Sequence, residues 1–98
     1  MKDTFNQLLK DPVIQVYLQG AEETPAINFG DYLGSLFTLK PLSGTRMFLM
    51  VTYSDRDLLT GIGYEDKGEM ILISESLTEH SSLNSARKAV LSAFKNFS

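Results

Sequence analysis

The residues that could carry nucleophilic or metal chemistry are few. The 98-residue chain has one histidine, His80, and no cysteine. Thiolate catalysis is therefore excluded, and so is an ordinary zinc site, which needs several Cys or His ligands. Ser81 and Ser82 follow His80 directly, but sequence neighbours rarely hold the geometry of a catalytic triad. We interpret His80 as a solvent-exposed loop residue with a residual role as a pH-sensitive contact.

Carboxylates are the remaining route to acid–base chemistry. They occur at predicted loops and strand ends, as Glu22-Glu23, Glu65-Asp66 and Glu75. Two of them would have to converge in space to act as an acid–base pair. A small acid–base enzyme is therefore kept as a further alternative, without any residue assigned as catalytic.

Two other patterns come close to a ligand-binding motif and fall short of it. The segment Asp55-Arg56-Asp57 lacks the spacing and the central glycine of a calcium loop. The segment Gly61-Ile62-Gly63 lacks the third glycine of a dinucleotide fingerprint and lies within a predicted strand. We therefore expect no metal, no cofactor and no small-molecule substrate.

The overall charge disfavours broad nucleic-acid binding. The net charge is −3 and the sequence pI is about 5.0, whereas such binding needs a basic surface. The charge is uneven, because residues 55–79 contain seven acidic and two basic side chains while residues 81–98 contain three basic and no acidic ones. This distribution is typical of solvated turns beside an ordinary helix, and the alternative is an acidic surface that engages a basic partner.

Composition and the N-terminal segment predict one soluble cytoplasmic domain over residues 1–98. The hydrophobic fraction of 43% and the charged fraction of 21% are those of a globular protein. The first residues are polar and carry a charge pair, unlike a signal peptide. The longest apolar run, Met47 to Val51, is far too short to cross a bilayer. We expect no membrane contact.

The N-terminal part favours helices. Asp3 or Thr4 can cap a first helix that ends before Pro12. Asp11 can cap a second helix with Pro12 in its first position, although the β-branched residues up to Leu18 leave a strand open. Residues 21–27 are predicted as a loop, and residues 28–34 as a short helical or irregular stretch.

The middle of the chain predicts an antiparallel meander. Strands are expected at residues 35–40, 46–53, 58–65 and 70–74, with turns at residues 41–45, 54–57 and 66–68. Residues 46–53 are apolar on both faces, which predicts a central strand. Residues 75–82 are expected to be a connection.

The last element is the clearest helix. Apolar residues from Leu83 onward, with Ala86, Val90 and Phe94, recur at steps of three or four, and Ser81, Ser82 or Asn84 can cap them. The fold class is therefore α+β. We expect a small two-layer domain in which N-terminal and C-terminal helices flank a three- to four-stranded sheet.

The apolar residues exceed what a sheet with one covered face can easily bury. Either extra core layers or residues 21–34 cover them, or they form a contact surface, which is a role in adhesion rather than catalysis. We expect a homodimer or a protein partner on a surface formed by apolar and acidic side chains: Phe48, Met50, Tyr64, Asp55, Asp57, Glu65 and Asp66. Size and acidity are typical of small bacterial or phage accessory proteins, such as inhibitors and immunity proteins. The alternative is a nucleic-acid-linked regulator that uses Arg87, Lys88 and Lys95 on the last helix.

Overall fold

The computed structural model describes residues 1–97, and two short helices open the chain. Helix α1 spans Lys2–Leu9 and helix α2 spans Pro12–Leu18. The Asp11 carboxylate accepts hydrogen bonds from the backbone nitrogens of Val13 and Ile14, at 2.9 and 3.2 Å, and so caps α2. The helical interpretation of this segment is confirmed, and the strand alternative is wrong.

Six strands follow and form one antiparallel sheet. They are β1 (Glu23–Phe29), β2 (Tyr32–Leu42), β3 (Thr45–Tyr53), β4 (Leu58–Asp66), β5 (Glu69–Leu72) and β6 (Thr78–His80). Strands β1 to β5 are neighbours in chain order, and β6 also pairs with β4. The α+β class and the central position of β3 are confirmed, whereas the expected number of strands was too low.

Strand β1 is the largest departure from the sequence-based prediction. Its residues were predicted as a loop, followed by a helical or irregular stretch up to Gly34. The strand contains Pro25, and Ala26 has a positive φ of 57° where the register with β2 shifts. An edge strand tolerates a proline and a bulge that a central strand would not. The prediction of a loop at residues 21–27 is therefore wrong, because Pro25 is compatible with an edge strand.

Two of the expected turns are tight hairpins. Ser43 and Gly44, with φ of 51° and 81°, link β2 to β3. Lys67 and Gly68, with φ of 53° and 84°, link β4 to β5. Two central residues with positive φ match the right-handed twist of the paired strands, and glycine in the second position removes the steric cost.

Strand β4 pairs with two short strands on its outer side. β5 pairs with its second half and β6 with its first half. Ile62 lies between the two ladders. Its backbone nitrogen donates to the Ser76 hydroxyl at 2.8 Å, and its carbonyl oxygen accepts from the Ile73 nitrogen at 2.9 Å. A short 3₁₀ turn, Ser74–Ser76, therefore fills the gap. The expected connection at residues 75–82 thus contains a strand.

Helix α3 spans Leu83–Asn96 and closes the main core. Ser82 caps it by accepting a hydrogen bond from the Ser85 nitrogen at 3.2 Å. The predicted apolar stripe is buried, and it joins buried residues of α1, α2 and the sheet in one cluster: Phe5, Leu8, Ile14, Phe37, Leu39, Met47, Leu49, Val51, Leu58, Ala86, Val90, Leu91, Ala93 and Phe94. All three helices therefore pack on the same side of the sheet.

The register assigns each strand residue to one of two faces. Leu49 pairs with Phe37 and Ile62, and these side chains belong to the helix-covered face. Met50 pairs with Leu36 and Gly61, which belong to the opposite face. We call this second side the helix-free face.

Candidate functional site

The centre of the helix-free face is sealed, although no helix of residues 1–97 packs on it. Met50 is 1% exposed and Leu59 is 5% exposed, yet neither belongs to the main core cluster. Gly61 faces Met50 in the register, and a Cβ on Gly61 would lie 2.7 Å from Leu77 Cδ2. The Leu77 side chain therefore lies over this glycine, beside Met50.

The same arrangement recurs two residues further along β4, at Gly63. Gly63 faces Phe48, and a Cβ on Gly63 would lie 2.5 Å from the sulfur of Met70. Because glycine has no side chain, Gly61 leaves space for Leu77 and Gly63 leaves space for Met70. Met50 was expected to contact a partner, and this expectation is wrong because Met50 is only 1% exposed.

Around this sealed centre, large apolar side chains remain accessible. Phe29 in β1 is 38% exposed and Met70 in β5 is 36% exposed, at opposite edges of this face. Leu36, Phe48 and Leu72 are half-buried between them. We call these five residues the apolar patch. Only Phe48 was expected from the sequence, because the others depend on the strand register.

An ion pair lies beside the patch. Arg46 Nη1 is 3.1 Å from Glu65 Oε2, and the guanidinium carbon of Arg46 is 5.3 Å from the centroid of the Phe48 ring. The pair is partly exposed and so contributes little to stability. It does neutralise Glu65, which therefore adds no net negative charge to the rim of the patch.

Tyr64 does not belong to the expected surface. It pairs with Met47 in the register and packs against the main core. The β3–β4 register places Tyr64 on the helix-covered face, whereas Phe48 lies on the helix-free face. The expectation that both contribute to one contact surface is wrong.

The expected carboxylates lie at opposite ends of the sheet. Glu65 and the exposed Asp66 are at the β4–β5 turn, while Asp55 and Asp57 are in the β3–β4 turn. The second group lies beside the β1–β2 turn and β6, which add Asp31 and Glu79. We call Asp31, Asp55, Asp57 and Glu79 the acidic end. Asp31 and Glu79 were not predicted from the sequence as part of this group, because strand pairing brings them next to the β3–β4 turn.

One member of the acidic end is held in place by hydrogen bonds. The Tyr32 hydroxyl donates to Asp57 Oδ1 at 2.7 Å, and the Ser54 hydroxyl donates to the same oxygen at 3.0 Å. The hydrogen bond from Tyr32 holds the pKa of Asp57 below its ordinary value. The same bond raises the pKa of Tyr32. Asp57 therefore stays ionised and ties the turn to β2.

Of the three basic residues of α3 named for nucleic-acid binding, Arg87 is paired within the chain. Arg87 Nε is 2.6 Å from Asp11 Oδ2, and this hydrogen bond holds the pKa of Asp11 below its ordinary value. Arg87 therefore links α3 to the cap of α2, and its Nε is engaged by a carboxylate of the same chain. Lys88 and Lys95 are exposed, at positions seven residues apart on the helix.

His80 is buried, contrary to the expectation of a solvated loop. It is 3% exposed, at the end of β6. Ser81 and Ser82, which follow it, are exposed. Burial of His80 follows from the pairing of β6 with β4 and from the return of α3 over it.

Comparison with known proteins adds no functional assignment. No protein-family model, curated protein or solved structure matches this chain. Within residues 1–97, no three His, Asp or Glu side chains are grouped so that they could hold a metal ion. No helix in this part of the chain is long and apolar enough to span a membrane.

Proposed function

We propose that this chain is a non-catalytic protein-binding module, of the inhibitor, immunity or accessory type, that binds its partner through the apolar patch. The observation that carries the proposal is a face that no helix of residues 1–97 covers, with Phe29 and Met70 accessible at its two edges and half-buried apolar side chains between them. Aromatic residues and methionine are enriched at protein interfaces, and Phe29, Phe48 and Met70 are of these types.

The sheet edges favour contact through the face over strand addition. β1 is an edge strand whose Pro25 has no N–H to donate and whose register shifts before Ile27. On the other side, β5 has four residues and β6 has three. Short, bulged or proline-containing edges are poor templates for an added strand. A partner therefore gains more from the apolar patch than from backbone pairing.

The acidic end indicates the chemistry of the partner. Asp31, Asp55 and Glu79 are exposed. Phe29 lies next to the β1–β2 turn, which contains Asp31. Carboxylates at the rim of an interface mainly raise the association rate with a positively charged partner. We propose a partner protein that carries an apolar contact area flanked by basic residues.

Two double variants test the proposal. Phe29→Ser with Met70→Ser removes the exposed parts of the patch. Val13→Ser with Val16→Ser is the matched control, because these side chains on α2 are 46% and 69% exposed and lie on the helix side of the sheet. We expect both double variants to remain folded, since the four side chains are exposed.

The readout is capture of proteins from the native host by each form of the chain, together with sedimentation velocity of the chain alone. We expect the patch variant to lose a partner that the wild type and the α2 variant retain. Loss of concentration-dependent self-association in the patch variant alone would identify a second copy of the chain as that partner. Equal behaviour of both variants in capture and sedimentation would refute the proposal.

A further inference from the structure

One buried side chain joins three elements of the fold. His80 Nε2 is 2.8 Å from the Thr60 hydroxyl of β4, and His80 Nδ1 is 2.7 Å from the Ser85 hydroxyl of α3. His80 itself belongs to β6. The imidazole is 3% exposed, so these two hydroxyls supply the hydrogen bonds that water would otherwise make.

The two hydroxyls suit a neutral imidazole. A neutral ring has one N–H donor and one acceptor nitrogen, and a hydroxyl can serve either. A protonated ring has two donors, which the hydroxyls can still accept, but neither hydroxyl offers a compensating negative charge. Burial of an ion that is not paired with an opposite charge is costly.

The surrounding charges do not compensate for this cost. Asp57, just before β4, favours the charged form, but burial has the larger effect and lowers the pKa of His80. Glu79 of β6 pairs with Leu59 in the register, so it lies on the other face of the sheet. On α3, Arg87 is bound to Asp11 and Lys88 is exposed.

We infer that His80 is a pH-sensitive latch that holds β6 and the first turn of α3 against β4 and releases them when its imidazole is protonated. The released segment is small. β6 has three residues, of which Thr78 and Glu79 are exposed, and Ser85 lies on the exposed side of the first turn of α3. Such a segment can open without unfolding the main core.

The direction of the pH dependence follows from proton binding. A histidine in an open segment titrates near pH 6.5, while the closed form takes up the proton at lower pH. The open form therefore binds more protons as the pH falls, and opening becomes easier below about pH 6.5. From pH 7 to pH 5, the open population rises at most about 25-fold, the limit for a closed form that stays neutral.

Two NMR measurements on the full chain test the latch. His80 is the sole histidine, so its imidazole signals give its titration without ambiguity. Amide hydrogen exchange, corrected for the intrinsic pH dependence, gives protection factors at the β6–β4 ladder and at Ala86 of α3. We expect titration below pH 6.5, and protection at these amides that falls several-fold to about 25-fold between pH 7 and pH 5. Protection at Leu49 in β3 should change much less.

Two variants complete the test. His80→Gln can donate and accept hydrogen bonds but does not titrate, so its protection at Ala86 should not depend on pH in this range. Lys88→Gln, which removes an exposed charge of α3, should keep the wild-type pH dependence. If His80→Gln fails to fold, the imidazole titration and the protection factors of the wild type still test the inference. The inference is overturned if the imidazole titrates at or above pH 6.5, or if protection is constant or falls equally at Leu49.

Discussion

Leu49 and Met50 are adjacent in β3 and are each 1% exposed, but the two faces of the sheet bury them in different ways. Leu49 is covered by helices from both ends of the chain. Met50 is covered by side chains of its own face, with Leu77 lying over the glycine opposite. The difference teaches that a sheet face can seal its centre without a second layer and still keep apolar side chains accessible at its periphery.

The largest difference between the faces should appear on truncation of these neighbours. Leu49→Ala leaves a cavity that the helices and strands around it cannot easily fill, and we expect a loss of about 3–5 kcal/mol in the free energy of unfolding. Met50→Ala should cost about 2 kcal/mol, because the side chains that cover it lie at the surface and can relax inward. Urea unfolding of both variants measures the difference. Equal losses would show that both faces are packed with the same rigidity.

Glycine substitutions compare two kinds of neighbour on the helix-free face, to which both Gly34 and Gly61 belong. A Cβ on Gly34 would lie 2.1 Å from the Val51 carbonyl oxygen, whereas a Cβ on Gly61 meets the end of the Leu77 side chain. Backbone cannot move as easily as a side-chain terminus. We expect Gly34→Ala to cost about 3 kcal/mol and Gly61→Ala about 1 kcal/mol. Thermal unfolding checks the order, and a larger loss for Gly61→Ala would contradict it.

The acidic end gives a smaller, pH-dependent effect. Tyr32→Phe removes the hydrogen bond that lowers the pKa of Asp57, at a cost of at most about 1 kcal/mol at pH 7. A carboxylate with a lowered pKa in the folded state stabilises the protein above its unfolded pKa, near 3.9, and this contribution is lost as the pH falls through the folded value. The difference between wild type and variant should therefore shrink below pH 4. A constant difference down to pH 2 would rule out this origin.

The smallest predicted effect concerns association kinetics. Asp55→Asn with Glu79→Gln should leave stability nearly unchanged and should lower the association rate with a basic partner several-fold. The decrease should vanish at high salt, where screening removes long-range attraction. Surface plasmon resonance at two ionic strengths checks this, with Asp66→Asn at the other end of the sheet as the control. If Asp66→Asn lowers the association rate equally, the acidic end has no specific role in association.

Local signals predicted much of the fold. The cap at Asp11, the stripe of α3 and the apolar strand β3 each arise within a few residues, and all three are confirmed. β1 was missed because Pro25 and the bulge at Ala26 carry loop signals, while its pairing with β2 is a tertiary property. β6 was missed because three residues give too short a pattern to recognise.

The candidate site was less predictable, because it depends on contacts between distant residues. Arg87 and Asp11 are 76 positions apart in the sequence, and no local pattern predicts that they pair. The face on which Tyr64 lies is set by the length of the β3–β4 turn, because a shift of one residue moves every side chain to the other face. The position of Leu77 over Gly61 requires a chain segment that returns to the side of β4.

The most direct test of the helix-free face as the contact surface uses methyl NMR signals. It compares one methionine on each face of the sheet. Met70 is 36% exposed on the helix-free face, and Met47 is 5% exposed beneath the helices. On addition of the protein that the wild-type chain captures, or on self-association, we predict that the Met70 signal shifts or broadens while the Met47 signal stays unchanged. A perturbed Met47 signal beside an unchanged Met70 signal would contradict the account.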